Sequence, residues 1–355
     1  MEVIIVYTMN KNKKEKLVVV DSGRSAVKVI TPEGFDLLIP AVVSPAHEIT
    51  MDVDLSKEDY YWLQFEGEEY FVGRLAMEQS RFAYQDRSRK KSNHNNRLMI
   101  VTAIAVCVDD GDDVILLTNC PARDWATQRH ELADFLKGAY SVTHRAGLKS
   151  GQTINFTITK VYPLPEGAGA FYGYIYTPYL ELVHPDLLEG SCLVIEWGDQ
   201  TVNYIVVNDG EYISESCGSM DLGLHTALAE VVKWAETQGK GITIAEVASL
   251  AIKNKPLYIG STPVDINPIL QEAYQRLNNI VLDRLSGRFS FTDFRNILLA
   301  GGGAPVMVES TKQRLQTLCN IHYDMEASQW LNAKGFRVMY GLMQQEAAER
   351  CQDES

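Results

Sequence analysis

The sequence lacks any run approaching the ~20 consecutive apolar residues that span a bilayer. It also lacks a positive balance: 33 Lys and Arg stand against 46 Asp and Glu, a net charge of −13. A surface of that sign opposes phosphate backbones, so no direct DNA binding is expected, and with no basic amphipathic helix evident at either end no membrane contact is expected. No Cys-x-x-Cys pair occurs among the six cysteines, and no two of the seven histidines stand at i, i+4. Zinc-cluster chemistry is therefore not indicated. Cys107, Cys192 and Cys319 sit in or beside apolar runs and read as small core residues, reduced as in a cytoplasmic protein. Residues 1–7 are apolar but carry Glu2 and precede Lys11, Lys13, Lys14 and Lys16, which is the wrong charge order for a secretion signal. They read either as an extra edge strand or as an extension upstream of a start at Met9.

What is present is enough chain for two domains: 355 residues exceed a single ordinary core. The most informative stretch is Leu17-Val-Val-Val-Asp21-Ser22-Gly23-Arg24-Ser25-Ala-Val-Lys28-Val-Ile30. Two short Val- and Ile-rich runs flank a turn of small polar residues, the pattern of a hairpin. Its tip offers backbone N–H groups to an anion such as phosphate. Asp21, at the end of the first strand, suits a hydrated metal beside that anion. The same shape returns about 175 residues later in Cys192-Leu-Val-Ile195-Glu196-Trp197-Gly198-Asp199-Gln200-Thr201-Val. Two such hairpins suggest two lobes built on one plan and facing each other across a phosphate.

Between and beyond them, strands are expected at 35–40, 60–65, 70–72, 114–118, 153–161, 211–215 and 296–300. The prolines at 163 and 165 end the fifth of these. Helices are expected at 98–108, 122–139, 166–182, 224–238, 243–252 and 265–285, the last with Ile269, Ala273, Leu277, Ile280 and Val281 inward. The basic run 86–97 has no apolar period and reads as a solvated loop or a contact for an acidic partner. Glu166 lies at a helix start, where a carboxylate also suits the helix dipole. Leu299-Ala300-Gly301-Gly302-Gly303 is a buried strand running into three glycines. That run suits either backbone packing against a flat ligand or a tight strand-to-helix turn. Gly218 stands at another glycine-bearing helix approach.

Asp21-x-Gly23 with Lys28, Glu196-x-Gly198-x-x-Thr201 and the glycine turn at 301–303 resemble, in order and spacing, the phosphate 1, phosphate 2 and adenosine elements of the actin, heat-shock chaperone and sugar-kinase ATPases. Pro165-Glu166-Gly-Ala-Gly-Ala is similar to that superfamily's connecting-helix start. The length and Asn332-Ala-Lys-Gly335-Phe look most like bacterial plasmid-segregation actins of the ParM type. The resemblance covers roughly residues 17–350. It implies a two-lobed α/β fold, ribonuclease H-like, with mixed sheets flanked by helices. Domain I would span 1–185, with an insertion at about 34–95 and a returning helix 336–355. Domain II would span 186–335, with a small subdomain at about 239–265.

Carried over by position, the resemblance implies that Asp21, and Glu196 with it, hold Mg²⁺ through water beside ATP or GTP. Ser22, Gly23 and Arg24 would donate to the phosphates, with Lys28 reaching toward them. Gly198, Asp199, Gln200 and Thr201 would close over the phosphates from the other lobe. Glu166 would position the attacking water, and Gly218 with Gly301, Gly302 and Gly303 would line the nucleoside pocket. In such sites positioning and charge neutralisation supply the rate. The family's usual Asp is Glu196 here, one methylene longer and followed by bulky Trp197. The implied function is a cytoplasmic bacterial filament of self-associating subunits that hydrolyse nucleotide and move plasmid DNA through a DNA-binding adaptor. Alternatives are a cell-shape or organelle-positioning actin and a small-molecule kinase of the same superfamily. A chaperone is not expected, since the ATPase lobes would take up these residues and leave none for a peptide-binding domain.

Overall fold

A computed structural model describes residues 15–50, 52–80, 83–85, 88 and 90–353. The expectation for residues 1–7 lies outside the described residues, as do Asp86, Arg87 and Arg89 of the basic run. The chain forms two compact units: one runs to Cys120 and includes Asp124–Pro165, and the other combines Pro121–Arg123 with Glu166–Ser355.

In the first unit the opening hairpin is β1 (Glu15–Ser22) and β2 (Ala26–Ile30). There follow β3 (Asp36–Pro40), β4 (Val43–Pro45), β5 (Tyr60–Phe65), β6 (Glu68–Gly73), α1 (Arg74–Gln79), α2 (His94–Cys107), β7 (Asp112–Cys120), α3 (Trp125–Leu136), β8 (Gly138–His144) and β9 (Thr153–Pro165). One sheet holds all nine strands in the order β3-β2-β1-β7-β9-β8-β5-β6-β4. The β1–β7 and β7–β9 pairs are parallel. Central β7 is buried along nearly its whole length, as a strand covered on both faces must be. Helix α2 is buried from Leu98 to Ala105 and has little amphipathic bias, as expected of a helix lying inside the core.

Three expectations fail in this unit. Helix α2 starts at His94, inside the stretch read as loop, because the Asn93 side chain caps it by accepting from the Asn96 N–H at 2.9 Å. The helix expected to 139 ends at Leu136, and Gly138 and Ala139 already belong to a strand that runs to His144. Strand β9 continues through Pro163 and Pro165. Its β8 pairing stops at Ile158, so the prolines occupy an edge where no ladder donor is missed.

The second unit runs α4 (Ala168–Ile175), β10 (Ser191–Trp197), β11 (Val202–Asn208), β12 (Glu211–Tyr212), β13 (Gly218–Met220), α5 (Leu224–Thr237), α6 (Ile244–Ile252), β14 (Leu257–Ile259), β15 (Thr262–Val264), α7 (Asn267–Ser286), β16 (Asn296–Ala300), α8 (Ala304–Leu315), β17 (Asn320–Tyr323) and α9 (Leu331–Asp353). The main sheet is β12-β11-β10-β16-β17, with β13 on β11. Alternation along β10 divides the core. Leu193, Ile195 and Trp197 join the cluster of α5, α7 and α8, while Cys192 and Val194 join Ala168, Phe171 and Leu331 of α4 and α9. Both units thus share one plan, three antiparallel strands followed by two parallel additions.

Here helix α4 stops at Ile175, short of 182, because Pro178 forbids continuation and biases Thr177 away from helix. The third strand shrinks to Glu211–Tyr212 before a 3-10 turn. Ile280 of α7 faces outward at 43% exposure instead of inward. Among the described residues no helix is long and apolar enough to cross a membrane.

Candidate functional site

In the first unit the β1–β2 register places Asp21 directly opposite Lys28. Their Oδ2 and Nζ atoms lie 3.4 Å apart, with Asp21 only 4% exposed. Both the N–H and the hydroxyl of Ser22 donate to Asn119 Oδ1 on β7, each at 2.8 Å. The Gly23 N–H donates to the Asp21 carbonyl at 2.9 Å. A second ammonium converges from the segment before α2. Lys91, 4% exposed, donates from Nζ to the Ser22 carbonyl and lies 3.4 Å from Ser22 Oγ. The Asn96 amide holds the Lys91 carbonyl at 2.8 Å. Ser22, Gly23, Arg24, Lys91 and Asn96 border one small cavity. The hairpin tip therefore carries one ammonium at the Asp21 carboxylate and a second at the Ser22 carbonyl, an arrangement suited to a polyanion.

In the second unit the corresponding register position pairs Glu196 with Asn203. The Asn203 Nδ2 donates to Glu166 Oε2 at 3.0 Å and to Glu196 Oε2 at 3.1 Å. One amide thus spans the two carboxylates, and its own Oδ1 is buried without a partner. The other Glu196 oxygen accepts from Asn332 Nδ2 on α9. Asn332 Oδ1 in turn accepts from the Gly167 N–H at 3.0 Å and the Ala170 N–H at 2.9 Å, capping α4 just after Glu166. The phenol of Tyr212 donates to the Ala168 carbonyl at 3.0 Å. Burial pushes that phenol well above its ordinary pKa, so it stays a donor.

The turn at 198–201 is braced from behind. The Gly198 and Asp199 carbonyls accept from the Leu224 and His225 N–H groups at 3.1 and 3.0 Å, and His225 Nδ1 is 2.9 Å from the Asp199 carbonyl. A Cβ on Gly223 would stand 2.2 Å from that same carbonyl, so only glycine allows this approach. In the glycine turn, Gly301 has φ +84° and abuts the Trp197 backbone, and Gly303 abuts Trp197 and Leu224. These two meet the chain itself. Gly302 is exposed, with nothing nearer its absent Cβ than 3.9 Å. Gly218, on β13, packs on the Tyr204 hydroxyl, where a Cβ would come within 2.2 Å.

The structure accordingly brings Asp21, Ser22, Gly23 and Lys28 together in one unit and Glu166 with Glu196 in the other. Gly198, Asp199, Gln200 and Thr201 form the tight turn beside Glu196. Sequence reasoning missed Lys91, Asn119, Asn203 and Asn332. Asn203 was within reach: as hairpin register puts Lys28 across from Asp21, it puts Asn203 across from Glu196. Among the described residues no group of three or more His, Cys, Asp or Glu side chains gathers to hold a metal.

The chain matches two family models. Residues 20–169 match "Actin like proteins N terminal domain", and residues 194–313 match "Archaeal actin homologue MreB-like, C-terminal". No curated protein matches it. Several solved structures share the fold. The ParM in a 15-stranded filament from Clostridium botulinum is 19% identical, with TM-score 0.75, covering 93% of this chain and 100% of that one. The archaeal actin homologue Ta0583 in complex with ADP is 19% identical, with TM-score 0.71, covering 94% and 99%. Bacillus thuringiensis ParM with AMPPNP is 14% identical, with TM-score 0.69, covering 94% and 100%.

Proposed function

We propose that this chain, whose residues 20–169 and 194–313 match actin-like family models, binds a nucleoside triphosphate, hydrolyses it, and assembles with copies of itself into a filament that moves plasmid DNA through an adaptor. The observation that carries the hydrolytic part is the shared amide: Asn203 holds Glu166 and Glu196 as a pair at the start of α4 and the end of β10. Glu166, half-buried at the start of α4, orients the attacking water. Lys28 and Lys91 balance phosphate charge at the β1–β2 turn, where the Ser22 and Gly23 N–H groups exchange internal partners for phosphate oxygens. Gly302 offers the open backbone on which a nucleoside rests.

A magnesium ion would neutralise phosphate charge. The residues fit an ion carried in by the phosphates better than one held by the protein, since Asp21 is occupied by Lys28 and Glu196 by two amides. The filament reading draws on the ParM filament among the similar structures. The plasmid cargo and its DNA-binding adaptor follow from the ParM-type resemblance, and the acidic surface leaves DNA contact to that adaptor.

The test is sedimentation and phosphate release with ATP or GTP and Mg²⁺, on the parent and on Glu166→Ala. Nucleotide-dependent polymer, with phosphate release slowed at least tenfold in Glu166→Ala at unchanged nucleotide affinity, is the expected result. Absence of polymer at any nucleotide, together with turnover that requires a small-molecule acceptor, would instead identify a kinase.

A further inference from the structure

Asn332 lies on α9, far along the chain from either hairpin, yet it makes three contacts that join α4 to Glu196. Its carbonyl oxygen caps α4 at Gly167 and Ala170, and its amide donates to Glu196. Glu166 immediately precedes the capped turn, and its Oε2 shares Asn203 with Glu196. A closed circuit results: Glu166, α4, Asn332, Glu196, Asn203 and back to Glu166. The start of α9 is itself anchored, because the Ser328 carbonyl accepts from the Gly301 N–H at 2.9 Å. The helices meet at backbone distance. A Cβ on Gly335 would stand 1.7 Å from the Gly169 carbonyl oxygen, and one on Gly173 would stand 2.2 Å from that of Leu331. Contact at this range leaves α4 and α9 no freedom to slide independently.

We propose that Asn332 is a positioning residue for hydrolysis: through it, α9 sets the Glu166 carboxylate and the Glu196 carboxylate in one fixed relation. This rests on the reading of Glu166 as the water-orienting group. The longer Glu196 then has a reason. Its extra methylene lets one carboxylate reach Asn203 with one oxygen and Asn332 with the other. An amide suits this place because its oxygen accepts from two N–H groups on one side while its nitrogen, a separate atom, donates to a carboxylate on the other.

Substitution separates these duties. Asn332→Asp keeps an oxygen for the α4 cap but sets a carboxylate against Glu196. Asn332→Ala removes both contacts. In the double variant Asn332→Asp with Glu196→Gln the bond is restored with reversed polarity, since the new glutamine amide donates to the new aspartate and its oxygen still accepts from Asn203.

The first measurement is melting of the nucleotide-free protein near pH 7.5. Asn332→Asp is expected to lower the midpoint by roughly 4–8 °C, and Glu196→Gln is expected to recover most of that loss in its background. Additive single effects would overturn the circuit. The second measurement is the pH dependence of hydrolysis. Asn332→Asp should lower kcat at least tenfold at pH 8 with KM within about threefold of the parent, and it should recover as acid protonates the new pair and restores a donor. Asn332→Ala should lose rate without that acid recovery. Equal pH profiles for both variants, or losses that follow only the melting temperature, would reduce Asn332 to a structural cap and overturn the proposal. If the parent hydrolyses no nucleotide, the role of Glu166 falls, and the melting cycle still decides whether Asn332 couples the two carboxylates.

Discussion

The crossing of α4 and α9 gives the sharpest stability prediction. Gly335→Ala places a methyl carbon 1.7 Å from the Gly169 carbonyl oxygen and 2.7 Å from the Gly173 nitrogen, where ordinary contact begins at 3.4 Å. Both obstacles are backbone, so no rotamer change relieves them, and one helix must move by half an ordinary contact distance. Overpacking of a tight core costs about 1–3 kcal/mol where side chains can adjust. Here the shift also loosens Leu331, Phe336 and Phe171, all at most 2% exposed. Each loses part of the roughly 1.5–3 kcal/mol that burial of such a side chain contributes. Against this stands the better helix propensity of alanine, about 1 kcal/mol. The net expectation is a loss of about 3 kcal/mol, or roughly 6–12 °C in the transition of a unit of this size. Calorimetry on the nucleotide-free protein measures it, with Gly241→Ala as the control because nothing lies within 4 Å of its Cβ position. A Gly335→Ala protein that melts within about 1 °C of its parent would refute the close crossing.

Further perturbations probe the two half-sites. Asn203→Asp sets a third carboxylate, itself at a buried position, against a half-buried pair. Its folded pKa is raised, so the variant should match the parent near pH 4 and lose stability as pH rises, by about 3 kcal/mol at pH 8 in denaturant titrations. His144 is buried, with an unpartnered Nε2, and burial pushes its pKa down to about 4 from 6.5. The folded state therefore binds the proton more weakly than the unfolded chain. Stability should be fully present above pH 6.5 and decline by at most about 3 kcal/mol as pH falls toward 4; His144→Gln should flatten that limb in acid melts. Lys91→Met removes the ammonium at the Ser22 carbonyl and should weaken nucleotide binding about tenfold or more in calorimetric titrations; unchanged affinity would remove Lys91 from the phosphate site. Glu196→Asp should retain nucleotide binding and lose either the Asn203 or the Asn332 bond, lowering the melting temperature by a few degrees.

Local chemistry made the two hairpins legible. Val- and Ile-rich runs, a glycine turn and an acid at the strand end are all short-range signals, and they lead to the shared strand plan. The helix capped by Asn93 and the stop at Pro178 were also written locally, and a closer reading of caps and prolines would have found them. The β8 strand was not, because one of its two edges is completed by β5, whose Leu63 pairs with His144 from far back in the chain. The same applies to the site. Asp21, Glu166 and Glu196 follow from position within a turn or helix start. Lys91, Asn119 and Asn332 reach theirs from 69, 97 and 136 residues away, and single polar residues in otherwise ordinary segments carry no periodic signature. The glycines show a further limit: composition signals that bulk is forbidden at 301 and 303, but only packing shows that Trp197 already forbids it.

Trp197 carries one more consequence. It is fully buried, its indole N–H has no partner, and it directly precedes Gly198 of the turn while pressing on Gly303. The other four tryptophans, at 62, 125, 234 and 330, are partly exposed. The protein therefore contains a native optical reporter. With 295 nm excitation, the short-wavelength part of the emission belongs to an indole held in an apolar, unbonded setting. Any event that loosens the 198–201 turn or the 301–303 turn lets water reach that ring and moves its emission to the red. Rates of loop rearrangement could then be followed by stopped flow in the unlabelled chain, with Trp197→Phe as the blank.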